Sequence, residues 1–372
     1  MVEYRGARRD EREDLLDLAN IAFGFDFEPV MSKVYGEEFD STAITKVAVD
    51  EKNRIRAQVA VLSQELNVLD FTLQAGYLGT VSVHPRSRGE GHMKTLMQMW
   101  LEELQGTHDL IVLSGQRQRY EYFGFTIGGV KVKYSVNNSN VRHALKEIPI
   151  DGITFKPLFE VEGAPSFVVK VNSERAAYVV RDQDNLQRIL ATFHEVALGV
   201  MKEDKLIGYV LTNKKGNEIS EFACVNKEDI LKVVKAYIQY ADVEWVHITT
   251  PEYDLDLNAS LGRFAENYVI ETCDMYNILN FANVLEAYLT IKYKTTGLAQ
   301  GEFSAILDGQ PVTARVDENG VTVERSAQQG ALELNKQEAQ TLLLTPHGRY
   351  LEIDAPHGWF PLPAYWYKVD KF

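Results

Sequence analysis

The segment that decides the fold is Gly79-Thr80-Val81-Ser82-Val83-His84-Pro85-Arg86-Ser87-Arg88-Gly89-Glu90-Gly91-His92-Met93. An apolar strand ends at a proline and is followed by a loop with arginines and glycines. The loop opens a helix whose apolar residues recur every three or four positions. The first N–H groups of a helix lack intrahelical partners and carry partial positive charge, and glycines let an anion approach the backbone. These residues alone are compatible with a phosphate site and equally with an ordinary strand-to-helix turn that carries a solvated basic loop.

Helical and strand patterns alternate on both sides of this segment. An apolar helical stripe runs over residues 15–23, and the pattern of residues 46–66 is typical of a hairpin. A short, wholly apolar strand of the buried kind follows at residues 109–114. This alternation predicts an α/β (α+β) domain over residues 1–150.

The same order of elements recurs more faintly in residues 151–275. A hairpin centred on residues 203–205, a strand at 221–225 and a helix at 230–240 indicate a duplicated domain. From residue 276 the pattern changes to a helix, alternating strands around an Asn319-Gly320 turn, and a helix that Asn335 could cap. We therefore expect a third, α+β domain over residues 276–372.

The composition of the chain limits the classes of function that we expect. The chain carries 39 basic and 53 acidic residues, a formal charge of −14, which argues against nucleic acid. It is compatible with a cationic substrate such as an amine, although acidity also serves solubility. No apolar run approaches the roughly 20 residues that span a bilayer, and no signal peptide precedes the first domain. Two cysteines and scattered histidines provide neither a disulfide framework nor a metal site. We expect a cytoplasmic protein without a metal.

The loop resembles the signature of a known enzyme family. Arg86-x-x-Gly89-x-Gly91, preceded by a Val-x-Val strand and followed by a helix, is similar to the Arg/Gln-x-x-Gly-x-Gly/Ala motif of the GNAT acetyltransferases. The resemblance implies a mixed twisted sheet flanked by helices and acetyl-CoA as cofactor. It also implies that the loop amides hold the pyrophosphate and that the strand backbone pairs with the pantetheine arm. The expected cofactor-binding residues are Val81, Val83, Arg86, Arg88, Gly89, Gly91 and Ser114.

A second segment resembles one branch of that family. Tyr120-Glu121-Tyr122-Phe123-Gly124-Phe125 is similar to the Tyr-x-x-Phe-Gly-Tyr/Phe segment of the enhanced intracellular survival family. This implies a catalytic GNAT domain, a degenerate GNAT-like domain, a domain similar to sterol carrier protein 2, and a homo-oligomer, namely a hexamer. Where the second copy would carry its phosphate loop, the chain reads Asn226-Lys227-Glu228-Asp229. Without glycine and with two acids, that copy is not expected to bind coenzyme A.

The resemblance also implies the catalytic groups. The first tyrosine of the segment, Tyr120, would be the general acid for the departing thiolate; Tyr122 competes, because the spacing from Ser114 is one residue longer than expected. The terminal carboxylate of Phe372 would act on the amine. With a pKa of about 3.5 a free α-carboxylate is a weak base, so it would orient and partly deprotonate the ammonium. Burial of apolar side chains would dock this end, which carries Trp359, Phe360, Leu362, Tyr365, Trp366 and Phe372.

The acceptor is the least specified part. Asp26 lies where the family lines its acceptor pocket with an acid and aromatic residues, and a solvated loop acid is an equal alternative. We predict direct acetyl transfer in a ternary complex to a primary amine, with aminoglycosides, polyamines and lysine side chains all open as acceptors. Two other functions remain: a lipid carrier acting through the third domain, and an acyl-CoA sensor without turnover.

Overall fold

The computed structural model describes residues 2–36 and 38–372. The strands, in chain order, are β1 Glu3–Gly6, β2 Thr45–Val49, β3 Ile55–Val68, β4 Phe71–Val83, β5 Leu110–Leu113, β6 Thr126–Gly128, β7 Lys131–Asn137, β8 Ile153–Pro157, β9 Ala177–Val179, β10 Val196–Lys202, β11 Lys205–Thr212, β12 Glu218–Cys224, β13 Trp245–Pro251, β14 Asn267–Glu271, β15 Asp274–Ile278, β16 Gly301–Leu307, β17 Gln310–Asp317, β18 Gly320–Glu324 and β19 Leu332–Leu334. The α-helices are α1 Arg12–Phe23, α2 Ser32–Tyr35, α3 His92–Leu104, α4 Arg117–Tyr120, α5 Asn138–His143, α6 Ala164–Ser173, α7 Leu186–Leu190, α8 Ile230–Ala241, α9 Leu255–Gly262, α10 Phe281–Lys294 and α11 Lys336–Leu344. None of the described helices is long and apolar enough to cross a bilayer.

The first sheet is mixed and carries helices on both faces. Its order is β1-β2-β3-β4-β5-β15-β6, and β9 pairs with the far end of β3. Among the described strands of this sheet, only β4 and β5 run parallel. The helices α1 and α3 contact β3 and β4. The predicted hairpin, buried strand and long helix are all confirmed, and so is the α/β fold class.

The parallel pair β4 and β5 opens into a fork. Pairing is confined to Ala75 with Leu110, Gly76 with Ile111 and Tyr77 with Val112, although β4 continues to Val83. Beyond Tyr77, β4 is paired only with β3 on its other side. One edge of a central strand is therefore left open in the interior of the domain.

The second sheet repeats this design in the order β14-β7-β13-β12-β11-β10-β8. Its antiparallel hairpin β10–β11 leads to β12, which is parallel to β13 only at Glu218 with His247 and Ile219 with Ile248. Like β4 and β5 in the first sheet, β12 and β13 form a short parallel pair beside antiparallel strands. Neither sheet changes at the predicted boundaries, however, because β7 belongs to the second sheet and β15 to the first. All five residues of β15 are buried, between β5 and β6.

The remaining residues form a small sheet with two helices. Its order is β18-β17-β16-β19, with α10 against β17 and β18 and α11 against β6. Asn335 caps α11: its side chain accepts from the Glu338 N–H, and Glu338 accepts in return from the Asn335 N–H. We use "second domain" for residues 131–271 and "third domain" for residues 281–351; the first sheet and its helices are the first domain.

The chain end returns to the first domain. Residues 352–372 contain one short 3-10 turn, Lys368–Asp370. Trp359 and Leu362 are fully buried, Trp366 is 1% exposed and Phe372 is 8% exposed. These residues share one apolar cluster with Tyr77 of β4. The aromatic end is docked, as its composition predicts.

Candidate active site

The glycine loop has the backbone shape of an anion site. His84 caps a 3-10 turn, Pro85–Ser87, by accepting from the Arg86 N–H. Gly89 and Gly91 both have left-handed backbones, with φ of +86° and +82°. An added Cβ at either glycine would meet nothing within 4 Å. The glycines are therefore required by the turn of the chain, and the space above them is open at the N-terminus of α3, where a phosphate is favoured.

Side chains behind the loop hold it in place. The buried His92 shares one hydrogen bond of 2.8 Å with the Tyr4 hydroxyl and one of 2.9 Å with Glu90. On the other side, the Ser87 hydroxyl accepts from Arg56 at 2.8 Å. The sequence did not predict the contact between Tyr4 and His92, because the two residues lie 88 positions apart in the chain.

The arginines of the loop are available to a ligand. Arg86 and Arg88 are exposed, and neither guanidinium pairs with an acid in the described part of the chain. Val81 and Val83 lie half-buried on the part of β4 that has separated from β5. The loop thus offers charge and free N–H groups, and the adjoining strand offers an open backbone edge. Both features fit the pyrophosphate and amide-containing arm of coenzyme A.

The strand is distorted where the fork opens. Register shifts between Gln58 and Ala60 on β3, so that β4 carries a bulge. Within it, Thr80 has φ of +46°, which is a strained conformation for a β-branched residue. The buried Tyr35 hydroxyl donates to the Thr80 hydroxyl at 2.9 Å. Strain at this point is typical of a functional site.

The chain terminus lies against this bulge. An ideal Cβ on Gly79 would be 2.7 Å from both the carboxyl carbon and an oxygen of Phe372, and 2.9 Å from its ring. Only glycine allows this approach. The Phe372 ring is tilted toward Tyr35, with centroids 6.4 Å apart. The terminal carboxylate is therefore buried beside the central strand, at the start of the fork.

Next to the terminus, the exposed residue Ser114 joins a polar cluster whose other members Tyr77 and Asp274 are buried. Its hydroxyl donates to Asp274 at 2.7 Å and is 2.8 Å from the Tyr77 hydroxyl. The Lys371 ammonium contacts both oxygens of the same carboxylate, at 2.8 and 2.9 Å. Burial and the neighbouring Asp274 raise the pKa of Tyr77 well above its usual range. Sequence patterns missed Asp274, because β15 joins this sheet from a distant part of the chain.

The two tyrosine candidates have different surroundings. Tyr120 is 9% exposed at the end of α4, with its ring packed on Gly115 and edge-on to Phe125 at 6.3 Å. Burial raises its pKa, opposed by Arg119. Its hydroxyl has no hydrogen-bond partner among the described residues. Tyr122 is 67% exposed and lies under the Lys94 ammonium at 5.0 Å. Tyr120 alone lines the interior.

Aromatic rings connect the surface with the terminus. Phe23, Phe25 and Phe27 are mutually in contact, with the Phe23 and Phe27 centroids 4.9 Å apart. Phe27 meets Tyr35 edge-on at 5.4 Å, and Tyr35 faces the terminal ring. Asp26 is exposed among these residues and forms no ion pair within the described chain. The sequence predicted aromatic residues near Asp26 but not their continuation through Tyr35.

Comparisons with known proteins agree with this geometry. Residues 3–128 match the family model described as an acetyltransferase (GNAT) domain; no curated protein matches the chain. The structure of a GCN5-related N-acetyltransferase from Anabaena variabilis is similar, with a TM-score of 0.71 and 16% identity over 100% of both chains. A probable N-acyltransferase from Enterococcus faecalis has a TM-score of 0.66 and 18% identity, covering 91% of this chain and 88% of that one. Eis1 from Mycobacterium abscessus has a TM-score of 0.64 and 14% identity, covering 92% and 89%.

At these identities the solved structures show a shared fold, which extends over nearly the whole chain. The family match is narrower. It spans β1 to β6 and so includes the glycine loop, the fork and Tyr120. Residues 3–128 therefore form a GNAT acetyltransferase domain, and the protein is an enzyme of the N-acetyltransferase class.

Proposed function

We propose that the protein transfers an acetyl group directly from acetyl-CoA to a primary amine, with the terminal carboxylate of Phe372 and the phenol of Tyr120 as its acid–base groups. One observation carries the proposal: the terminal carboxyl group lies against Gly79, where β4 leaves β5. A chain end is seldom buried without a reason, because burying a charge costs free energy unless the charge is used or paired.

The donor would be held by the loop and the open strand edge. The free N–H groups near Gly89 and Gly91, with Arg86 and Arg88, would hold the pyrophosphate. The backbone of Val81 and Val83 would pair with the amides of the arm, and Ser114 borders the same opening. Bound acetyl-CoA supplies the thioester whose acetyl group is transferred.

The terminal carboxylate would act on the incoming amine. An amine arrives as an ammonium ion at neutral pH, and an anion in buried surroundings attracts it more strongly than one in water. By accepting an N–H hydrogen, the carboxylate would orient the nitrogen and take the proton that must leave before attack. The aromatic side chains of Phe372 and Tyr35 would keep water away from this exchange.

Tyr120 would complete the proton balance. As the amine nitrogen bonds to the acetyl carbon, the carbon–sulfur bond breaks and the sulfur needs a proton. Burial raises the pKa of Tyr120, so its hydroxyl is protonated at neutral pH and can donate to the sulfur. The attached nitrogen loses a second proton as the amide forms, so two protons leave the amine in all. One of them restores the Tyr120 hydroxyl through solvent, and the other is released to solvent.

The acceptor would enter along the aromatic rings. Phe23 and Phe25 are 42% and 46% exposed, and aromatic faces attract cations. Asp26 adds an anionic group at the same entrance, and the net charge of −14 favours a cationic acceptor overall. An aminoglycoside, a polyamine or a lysine side chain would satisfy these features.

The other two domains would have supporting roles. In the second domain, Asp229 lies just before α8 and pairs with Lys202 and Lys232, so a protein carboxylate would occupy the position of a phosphate. We propose that this copy does not bind coenzyme A, that the third domain is similar to sterol carrier protein 2, and that the protein forms a hexamer. Light scattering of the purified protein tests the last point: a monomer would contradict it.

The test of the proposed function is thiol release from acetyl-CoA with spermidine, kanamycin and a lysine ester as acceptors. The intact protein is compared with Tyr120→Phe, with a variant lacking Phe372, and with Tyr122→Phe as the matched control. We expect turnover that falls in the first two variants and is retained in the control. Turnover retained in both would overturn the acid–base assignments. Coenzyme A binding without turnover for any amine would favour an acyl-CoA sensor.

A further inference from the structure

We propose that the second domain positions the terminal carboxylate, with Arg181 and Lys33 as positioning residues on opposite sides of the last four residues of the chain. The inference rests on the proposed function, since it assumes that the carboxylate acts in catalysis. The second domain would then contribute to the reaction by positioning the carboxylate, although we do not expect it to bind a cofactor itself.

Arg181 links the chain end to the second sheet. Its guanidinium contacts both oxygens of Asp370, at 2.8 and 2.9 Å, and both oxygens of Glu221 on β12, at 3.0 and 2.8 Å. Arg175 contacts Glu221 at 2.8 Å from the other side. The side chains of Arg181, Glu221 and Asp370 are at most 2% exposed. Two arginines and two acids thus form one buried, charge-balanced cluster that ends on the chain terminus.

The neighbours of Asp370 are also fixed in the second domain. Val369 is fully buried in the apolar cluster formed by α6, α7 and β11. Lys368 contacts the buried carboxylate of Glu195 at 2.7 Å. The chain end therefore lies in a binding groove of the second domain for two residues before it reaches the active site.

The first domain holds the opposite side. Lys33 on α2 donates to the carbonyls of Val369 and Lys371, at 2.6 and 2.5 Å; the latter belongs to the peptide bond of Phe372. Gln64 on β3 donates to the Asp370 carbonyl at 2.9 Å. Lys371 in turn contacts Asp274 through its side chain. The side chains of residues 368 to 371 are therefore all held by contacts, and the carbonyls of Val369, Asp370 and Lys371 also accept hydrogen bonds from Lys33 or Gln64.

The cluster constrains the geometry of the chain end more than it stabilises the fold. Burying four charges costs desolvation free energy that the attractions roughly offset, so such clusters add little net stability. Bidentate arginine contacts, however, permit one arrangement of the partner carboxylates. Because Asp370 stands two residues from the terminus, fixing it leaves the terminal carboxylate few positions. A misplacement near 1 Å lowers catalysis by roughly 100-fold.

The experiment measures kcat and KM for the full-length protein with spermidine and acetyl-CoA. Arg181→Gln should lower kcat by roughly 10- to 100-fold with an unchanged KM for acetyl-CoA, and Arg181→Lys should restore part of the loss. Lys33→Met tests the contacts on the opposite side of the chain end independently, and it should also lower kcat. Arg315→Gln is the matched control: that arginine pairs with Glu302 and Glu324 on the surface of the third domain, and we expect wild-type kcat.

Removal of Phe372 separates positioning from a merely structural role. In a protein that lacks Phe372, Arg181→Gln should have no further effect on kcat, while coenzyme A still binds with unchanged stoichiometry in calorimetry. Losses that multiply in the double variant would overturn the inference, as would wild-type kcat in both Arg181→Gln and Lys33→Met. Full activity in the protein that lacks Phe372 would instead overturn the proposed function itself.

Discussion

Gly79→Ala perturbs the position of the chain end without removing any functional group. The added methyl group would lie 2.7 Å from the carboxyl carbon and an oxygen of Phe372. An ordinary van der Waals contact begins at about 3.4 Å, so the terminus must move by about 0.7 Å. Since reacting groups displaced by about 1 Å lose roughly 100-fold in rate, we expect kcat to fall between about 10- and 100-fold.

Steady-state thiol release at saturating acetyl-CoA measures this loss, and calorimetric titration with coenzyme A checks that the donor site is intact. Gly76→Ala is the control on the same strand, because its methyl group would meet only a Val61 methyl at 3.0 Å and more distant side chains. In a protein that lacks Phe372, Gly79→Ala should change nothing further. Wild-type kcat in the Gly79→Ala protein would refute the reasoning.

Tyr120→Phe should lower kcat roughly 10²- to 10⁴-fold, the usual range for general acid–base groups. Tyr122→Phe should leave kcat unchanged. Equal losses of kcat in the two variants, measured in rapid-quench assays, would contradict the assignment of Tyr120. Gly91→Val forces an L-residue into a left-handed conformation at about 1–2 kcal/mol, so the Kd for coenzyme A should rise about tenfold, and an unchanged Kd in calorimetry would argue against the loop. Burial lowers the pKa of Lys33 from 10.5 to about 7, an effect that the Asp370 charge opposes. Unfolding therefore takes up a proton between pH 7 and 10.5, and the free energy of unfolding should rise with pH across that window. Urea titrations should show that this rise disappears in Lys33→Met, and parallel pH profiles would contradict it.

Local patterns predicted the elements well. The apolar period of α3, the alternation of β16 and β17, and the Asn335 cap of α11 each depend on residues close in the chain. The glycine loop was predictable for the same reason, since its strand, turn and helix are contiguous.

Contacts between distant residues were not predictable. Lys33 and Val369 lie 336 positions apart, and no local pattern around either residue indicates a buried hydrogen bond between them. The exchange of β7 and β15 between the sheets likewise depends on pairing partners rather than on local periodicity. Aromatic composition indicated that the chain end is docked, but its contact with Gly79 required the structure.

The most direct test replaces the terminal carboxylate of Phe372 with a carboxamide by protein ligation, which keeps the ring and removes the charge. Thiol release from acetyl-CoA with spermidine, kanamycin and a lysine ester is then compared with that of the ligated carboxylate form. We predict that the carboxamide protein binds coenzyme A normally and loses about 100-fold or more in kcat. Equal turnover of the two forms would contradict a catalytic terminus.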